Sequence, residues 1–121
     1  MTFSTIYLSS WPLVGDTPMN YIALFFAGAF ICNCIPHLCS GLQGQPFPTP
    51  FARPRGIGES SPLVNFFWGT ANLLCGFQLL SRYPIEFGWN AGAVTLVLGA
   101  LALGTHLSRH FTRVRAGRAG V

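Results

Sequence analysis

The chain has 121 residues, of which 50% are hydrophobic and 8% are charged, and its formal net charge is +4. Soluble domains carry about 25% charged residues, so this composition excludes an ordinary water-facing surface and predicts one that faces lipid. All seven basic residues are arginine, and four of them follow the last apolar run. Because they are not interleaved along a folded face, we expect no nucleic-acid partner. The length predicts a single membrane domain over residues 1–121.

The N-terminal segment, residues 1–18, is too short and too rich in Ser and Thr to form a span. Its first fifteen residues contain no Lys or Arg. A cleavable signal begins with basic residues, so we expect the first apolar helix to be retained. Two alternatives stay open for the segment, which either lies at the membrane interface or is loosely ordered.

Three apolar stretches approach the roughly 20 residues that a helix needs to cross a bilayer. They cover about residues 19–38, 62–80 and 91–107, and a basic tail follows over 108–121. Pro36 predicts a kink or a stop in the first helix, because proline lacks an N–H group and disfavours helical angles in the residue before it. Ser61 and Asn90 are expected to cap the second and third helices. The sequence therefore predicts an all-α bundle of about three transmembrane helices.

The connection between the first two spans is rich in proline and glycine. Prolines stiffen the backbone and remove hydrogen-bond donors, so we expect a long loop without a regular helix or sheet. The end of this loop is a candidate lipid or anion site, because a helix N-terminus presents free N–H groups. Its residues are Arg53, Arg55, Ser60 and Ser61, and the anion would be a lipid phosphate or a carboxylate such as Glu59. The alternative is that the arginines only snorkel.

One face of the second predicted helix is polar and small. At about 100° per residue, Asn65, Gly69, Asn72 and Gly76 share this face, and Trp68 borders it. Amide groups find no hydrogen-bond partner in lipid, and glycines let another backbone approach closely. This face is therefore expected to meet protein or a ligand.

The first helix offers a partner for that face, because Asn33 and His37 are four residues apart. Two interpretations stay open. The amides either hold helices together, or they line a polar pocket inside the membrane. In the second case the ligand-binding residues would be His37, Asn33, Asn65, Trp68 and Asn72.

Cysteines and a histidine cluster near the end of the first span. Cys32, Cys34, His37 and Cys39 are residue types that bind zinc or iron–sulfur clusters. Their spacing matches no strong zinc template, and cysteine also serves as a small apolar residue. We therefore expect no metal site, with metal ligation as the open alternative, and the sequence indicates no particular cofactor.

The arginines predict an orientation. Arg53, Arg55 and the four arginines of the tail share one side of a three-span topology, whereas Arg82 lies on the other side. The positive-inside rule then places the long loop and the tail in the cytoplasm and the N-terminus outside.

A pattern across the connection and the second span resembles a group of small, uncharacterised bacterial integral membrane proteins. It comprises Pro36-His37, Gly41, Gly44, FPTPFA at 47–52, Gly56, Gly58, Ser60-Ser61-Pro62, Asn65, Trp68-Gly69, Asn72 and Gly76. The resemblance implies a bacterial inner (cytoplasmic) membrane location and a multi-pass topology. It implies no activity.

The predicted function is that of a non-catalytic integral membrane protein. It would be homo-oligomeric or an accessory subunit of a larger complex, with membrane lipids, itself or other membrane subunits as partners. The alternative is a protein that binds a lipid, a quinone or another small apolar ligand. A transporter or an enzyme is disfavoured, because the spans have no charged residue near their centres and no carboxylate neighbours His37.

Overall fold

The computed structural model describes residues 17–120, which form three α-helices and one pair of short strands. In chain order these are α1 (Pro18–Leu42), β1 (Phe47–Pro48), β2 (Glu59–Ser60), α2 (Pro62–Arg82) and α3 (Ala91–Ala119). All three helices are long and apolar enough to cross a membrane. The mostly helical architecture is confirmed for this part of the chain. The predictions for the N-terminal segment fall on residues 1–16, outside the described residues.

Helix α1 runs through Pro36 to Leu42, so of the two predicted effects of this proline, a kink or a stop, the stop does not occur. Its last turn packs on α2, and a Cβ on Gly41 would lie only 2.6 Å from the backbone nitrogen of Phe66. The helix ends at Leu42, and Gly44, two residues further on, has a φ of 69°. There the N–H of Gln45 donates to the Ser40 carbonyl at 2.9 Å, and the N–H of Gly44 donates to Gly41 at 3.2 Å. This Schellman motif and the contact with α2 offset the hydrogen bond that proline removes.

The predicted caps are confirmed. The Ser61 hydroxyl accepts from the Val64 N–H at 3.3 Å, and the Asn90 side chain accepts from the Ala93 N–H at 2.9 Å. Pro62 occupies the first turn of α2, where its missing donor costs nothing. The starts of α2 and α3 are therefore determined locally.

Residues 108–119, which belong to the predicted basic tail, are helical and continue α3. A helix of 29 residues is about 44 Å long at 1.5 Å per residue, longer than the roughly 30 Å hydrocarbon core. The extension contacts the connection between α1 and α2. The rings of Phe111 and Phe47 are 4.7 Å apart, His110 Nε2 donates to the Gly56 carbonyl at 2.7 Å, and Arg118 pairs with Glu59.

The connection over residues 43–61 contains regular structure, contrary to the prediction from its prolines. Strands β1 and β2 pair antiparallel, with Phe47 opposite Ser60 and Pro48 opposite Glu59. A two-stranded ladder has only edge strands, where proline is tolerated. Thr49, directly after β1, is 1% exposed. The connection is therefore buried in the protein at Pro48 and Thr49, whereas residues 43–46 are exposed.

Helix α1 lies in the middle and packs against α2 on one side and α3 on the other. The contact with α3 depends on glycine, because a Cβ on Gly28 would overlap the Leu96 carbonyl and one on Gly99 would overlap the Phe25 carbonyl. Small residues let helix backbones approach in this way. The large apolar side chains point outward instead, including Phe26, Leu63, Phe67, Leu74, Phe77, Leu98 and Leu101.

We predict that Gly99→Ala lowers the thermal unfolding temperature in detergent, because the added methyl group must push α3 from α1. Overpacking of this kind costs about 1–3 kcal/mol. Gly117→Ala is the matched control on the same helix, since a Cβ there meets no atom of residues 17–120 within 4 Å. Helix propensity alone should leave that control equal or more stable by up to about 1 kcal/mol. Equal unfolding temperatures for both variants, measured by circular dichroism, would contradict the close α1–α3 contact.

Candidate functional site

The polar face of α2 is buried, as the sequence predicts. The buried residues of this helix are Asn65, Gly69, Asn72 and Gly76. A Cβ on Gly69 would lie 2.8 Å from the Leu38 side chain, so this face meets α1. Of the two partners that the sequence left open for this face, protein or a ligand, the structure shows protein at Gly69 and Gly76.

Asn33 and Asn72 form one hydrogen bond between α1 and α2. Asn33 Nδ2 donates to Asn72 Oδ1 at 2.9 Å, and Asn72 Nδ2 donates to the Trp68 carbonyl at 2.8 Å. Both polar atoms of the Asn72 amide are therefore bonded inside the protein. This arrangement stabilises the helix pair, because the alternative in a membrane is an unpaired amide.

His37 and Asn65 form the second link. Asn65 Nδ2 lies 3.0–3.1 Å from the carbonyl oxygens of Phe47, Ser60 and Ser61, which orients the amide. Its Oδ1 therefore accepts, and His37 Nδ1 donates to it at 2.8 Å. The neutral imidazole then carries its proton on Nδ1 and a lone pair on Nε2. Asn65 is 0% exposed and His37 is 3% exposed, so this link is inside the protein.

Three of the five predicted ligand-binding residues line one cavity of about 190 Å³, namely Asn33, His37 and Trp68. Asn65 and Asn72 do not line it, because their amides are bonded between the helices. The connection contributes Pro48, Thr49, Pro50 and Gly56 to the wall, and α3 contributes His106, Leu107, His110 and Phe111.

The sequence analysis did not predict that residues of α3 line this cavity. A signal was present, because His106 and His110 are four residues apart and so share a helix face. Their rings stack with centroids 6.2 Å apart. Spacing within one helix does not show which other helix that face meets, so the cavity required the tertiary structure.

The indole N–H of Trp68 is buried without a hydrogen-bond acceptor among residues 17–120. The ring is held by neighbours, with Phe51 at 4.9 Å and His37 at 6.3 Å between centroids. An unpaired buried donor costs about 1–3 kcal/mol. Among residues 17–120, the indole N–H of Trp68 therefore makes no hydrogen bond.

The four residues of the predicted anion site do not converge on one point through their polar groups. Arg53 and Arg55 are exposed, the Ser61 hydroxyl caps α2, and the Ser60 hydroxyl bonds to Thr49. Glu59, the carboxylate considered as their partner, pairs with Arg118 of α3 instead. Binding of a lipid phosphate by Arg53 and Arg55 stays a prediction.

The cysteine cluster is spread around α1. Cys34 is buried and its thiol donates to the Ile31 carbonyl at 2.9 Å, whereas Cys39 is exposed. Cys32 lies towards α3, where its sulfur would be 3.3 Å from a Cβ on Gly104. Within residues 17–120, no three His, Cys, Asp or Glu side chains are placed to hold a metal ion.

We predict that Asn72→Leu destabilises the α1–α2 pair, because Asn33 loses its acceptor. The expected cost is about 1–2 kcal/mol, the range of interhelical hydrogen bonds in membrane model peptides. Gln78→Leu is the matched control, since it removes an exposed amide from the same helix. If both variants unfold at the wild-type temperature in detergent, the amide pair does not hold the helices together.

Comparison of the chain with protein-family models, with curated proteins and with solved structures gave no match. Function is therefore inferred from geometry. Two features distinguish the site: two hydrogen-bonded links between α1 and α2, one buried and one partly buried, and a neighbouring cavity beside Trp68.

Proposed function

We propose that this protein is a non-catalytic integral membrane protein of the bacterial inner membrane, active as a homo-oligomer or as an accessory subunit. The observation that supports it best is that four polar side chains, three of them buried, pair with each other. Asn33 bonds to Asn72, and His37 bonds to Asn65. These groups would be the acid–base and binding groups of an enzyme, but here their hydrogen bonds join helices.

The outer surface supports association within a membrane. In the apolar window of α3 only 11% of residues are buried, against 33% in α1. Large apolar side chains such as Phe77 and Leu101 are exposed along α2 and α3. An exposed apolar surface that runs along two helices must be covered by lipid or by another subunit. An accessory subunit or a homo-oligomer would use part of it for protein contacts.

The positions of the arginines support the orientation. The pairing of Arg118 with Glu59 joins the end of α3 to the connection, so both lie at one end of the bundle. Six arginines lie at this end of the bundle, whereas Arg82, the last residue of α2, lies at the opposite end. By the positive-inside rule the connection and the end of α3 face the cytoplasm.

Ligand binding is a second function, favoured by one specific observation. Asn33, His37 and Trp68 line one cavity together with apolar side chains of the connection and of α3. A small apolar molecule with a polar end, such as a lipid or a quinone, suits a lining of this composition.

We predict that native mass spectrometry of the protein in nanodiscs detects assemblies. A homo-oligomer gives multiples of the 13.1-kDa chain, and an accessory subunit gives the chain together with another membrane protein after extraction with mild detergent. Chemical cross-linking in native membranes is the independent check. A single 13.1-kDa species in both measurements would overturn the assembly proposal.

The orientation is testable with a membrane-impermeant maleimide on whole cells. In a chain whose four native cysteines are replaced by alanine, Ser81→Cys should be labelled from outside, and Gly117→Cys only after permeabilisation. Both positions are exposed in the structure and lie at opposite ends of the bundle. The cysteine-free chain is the control for background. Labelling in the reverse pattern would overturn the orientation, and labelling of both sites in intact cells would contradict the three-span topology.

A further inference from the structure

The cavity beside Trp68 lies at the depth where hydrocarbon meets lipid head groups. His37 follows the first residue of α1 by 19 positions, and the lining residues of α3, His106 to Phe111, follow its first residue by 15 to 20. At 1.5 Å per residue these positions are about 22–30 Å along their helices, close to the roughly 30 Å of a hydrocarbon core. A molecule dissolved in the membrane would present its polar end at this depth.

One imidazole nitrogen of the lining is available to such a molecule. His37 donates its Nδ1–H to Asn65 at 2.8 Å, so the lone pair of the neutral ring is on Nε2. Among residues 17–120 this Nε2 has no hydrogen-bond partner, and Trp68 Nε1 is the only unpartnered side-chain polar atom that is fully buried. His37 Nε2 therefore remains accessible, and the cavity that His37 lines is where a molecule can reach it.

The other free polar groups of the lining are mostly acceptors too. Asn72 Nδ2 donates to a carbonyl, so Asn33 Nδ2 donates to Asn72 Oδ1, and Asn33 Oδ1 has no partner among residues 17–120. His110 donates its Nε2–H to the Gly56 carbonyl, which leaves a lone pair on Nδ1 of the neutral ring. His106 is exposed and, as a neutral ring, offers one donor and one acceptor. Because acceptors are in excess, the lining matches a ligand group that donates.

The cavity favours an uncharged donor. No carboxylate belongs to its lining among residues 17–120, so an ammonium group would have no counter-charge there. The same residues place no three metal-ligating side chains around one point, which disfavours a metal cation. Pockets that enclose whole small-molecule ligands occupy about 300–1,000 Å³, so a cavity of about 190 Å³ suits one polar end of a larger apolar molecule.

We propose that the cavity binds the hydroxyl group of a membrane-dissolved apolar molecule, which donates its hydrogen bond to His37 Nε2. The proposal rests on ligand binding as the second function. A hydroxyl is an uncharged donor that also accepts, so it suits a lining in which the acceptors lie with the free ring of His106. Two kinds of membrane molecule carry one. Isoprenoid quinols carry it on a ring, and diacylglycerols carry it on glycerol.

The test is the ¹⁵N resonance of His37 Nε2, measured by magic-angle-spinning NMR in bilayers of phosphatidylcholine, a lipid without a hydrogen-bond donor. The spectrum of His37→Phe identifies the resonance among the three histidines of the chain. The probes are a short-chain ubiquinol under anaerobic conditions, a diacylglycerol, and the fully methylated ether of each, which lacks the donor. We expect an upfield shift with the ubiquinol or the diacylglycerol and none with the ethers, because a lone pair that accepts a hydrogen bond becomes more shielded. The probe that produces the shift identifies the source of the hydroxyl.

Affinity provides a second measurement. Loss of one such hydrogen bond should weaken binding of the effective probe about tenfold in His37→Phe, equivalent to about 1.4 kcal/mol. Tyr83→Phe is the matched control, because it removes a polar group at the end of α2 remote from the cavity, and its affinity should equal that of the wild type. The wild-type resonance remains decisive if His37→Phe fails to fold.

Three results would overturn the proposal. One is a His37 Nε2 resonance that no hydroxyl probe moves, as expected if only water occupies the cavity, and another is an equal shift with the ethers. The third is unchanged affinity in a folded His37→Phe variant, and a tenfold loss in His106→Phe would then assign the contact to His106. If native mass spectra show a retained small molecule while the His37 resonance is unmoved, ligand binding stands and the hydroxyl assignment is wrong. If no molecule is retained and no probe binds, both fail.

Discussion

The hydrogen bonds of one buried amide, Asn65, join most parts of this small protein. Its nitrogen lies within hydrogen-bond distance of the carbonyls of Phe47 in β1, Ser60 in β2 and Ser61 before α2, and its oxygen accepts from His37 of α1. In a membrane each of these groups would be costly to leave unpaired, because lipid supplies no partner. The positions of the connection and of two helices are thereby coupled through a single side chain.

That coupling extends to α3 through the connection. With β1 held in place, Phe47 packs on Phe111, the Gly56 carbonyl accepts from His110, and Glu59 pairs with Arg118. The end of α3 is consequently a wall of the same cavity that α1 and α2 border. The proposed ligand site therefore depends on the polar links between the helices, since loss of these links would also displace the connection that covers the cavity.

Local signals predicted some features and failed at others for a physical reason. The caps at Ser61 and Asn90 follow from side chains that bond to N–H groups three residues away, so neighbouring sequence suffices. Pro36 was expected to kink or end α1, but the helix continues beyond it, because packing of the following turn on α2 offsets its missing donor. The arginine-rich end of the chain was interpreted as a tail. In the structure it is helical, and it contacts the distant connection between α1 and α2.

The three apolar helices and the polar face of α2 could be predicted from the amino-acid sequence, because composition and a 3.6-residue period depend only on neighbouring positions. The pairing of Asn72 with Asn33 and of Asn65 with His37 follows from how the helices pack. The same packing makes α3 a wall of the cavity beside Trp68. These contacts join residues tens of positions apart, and a helical period shows which side chains share a face without showing which partner that face meets.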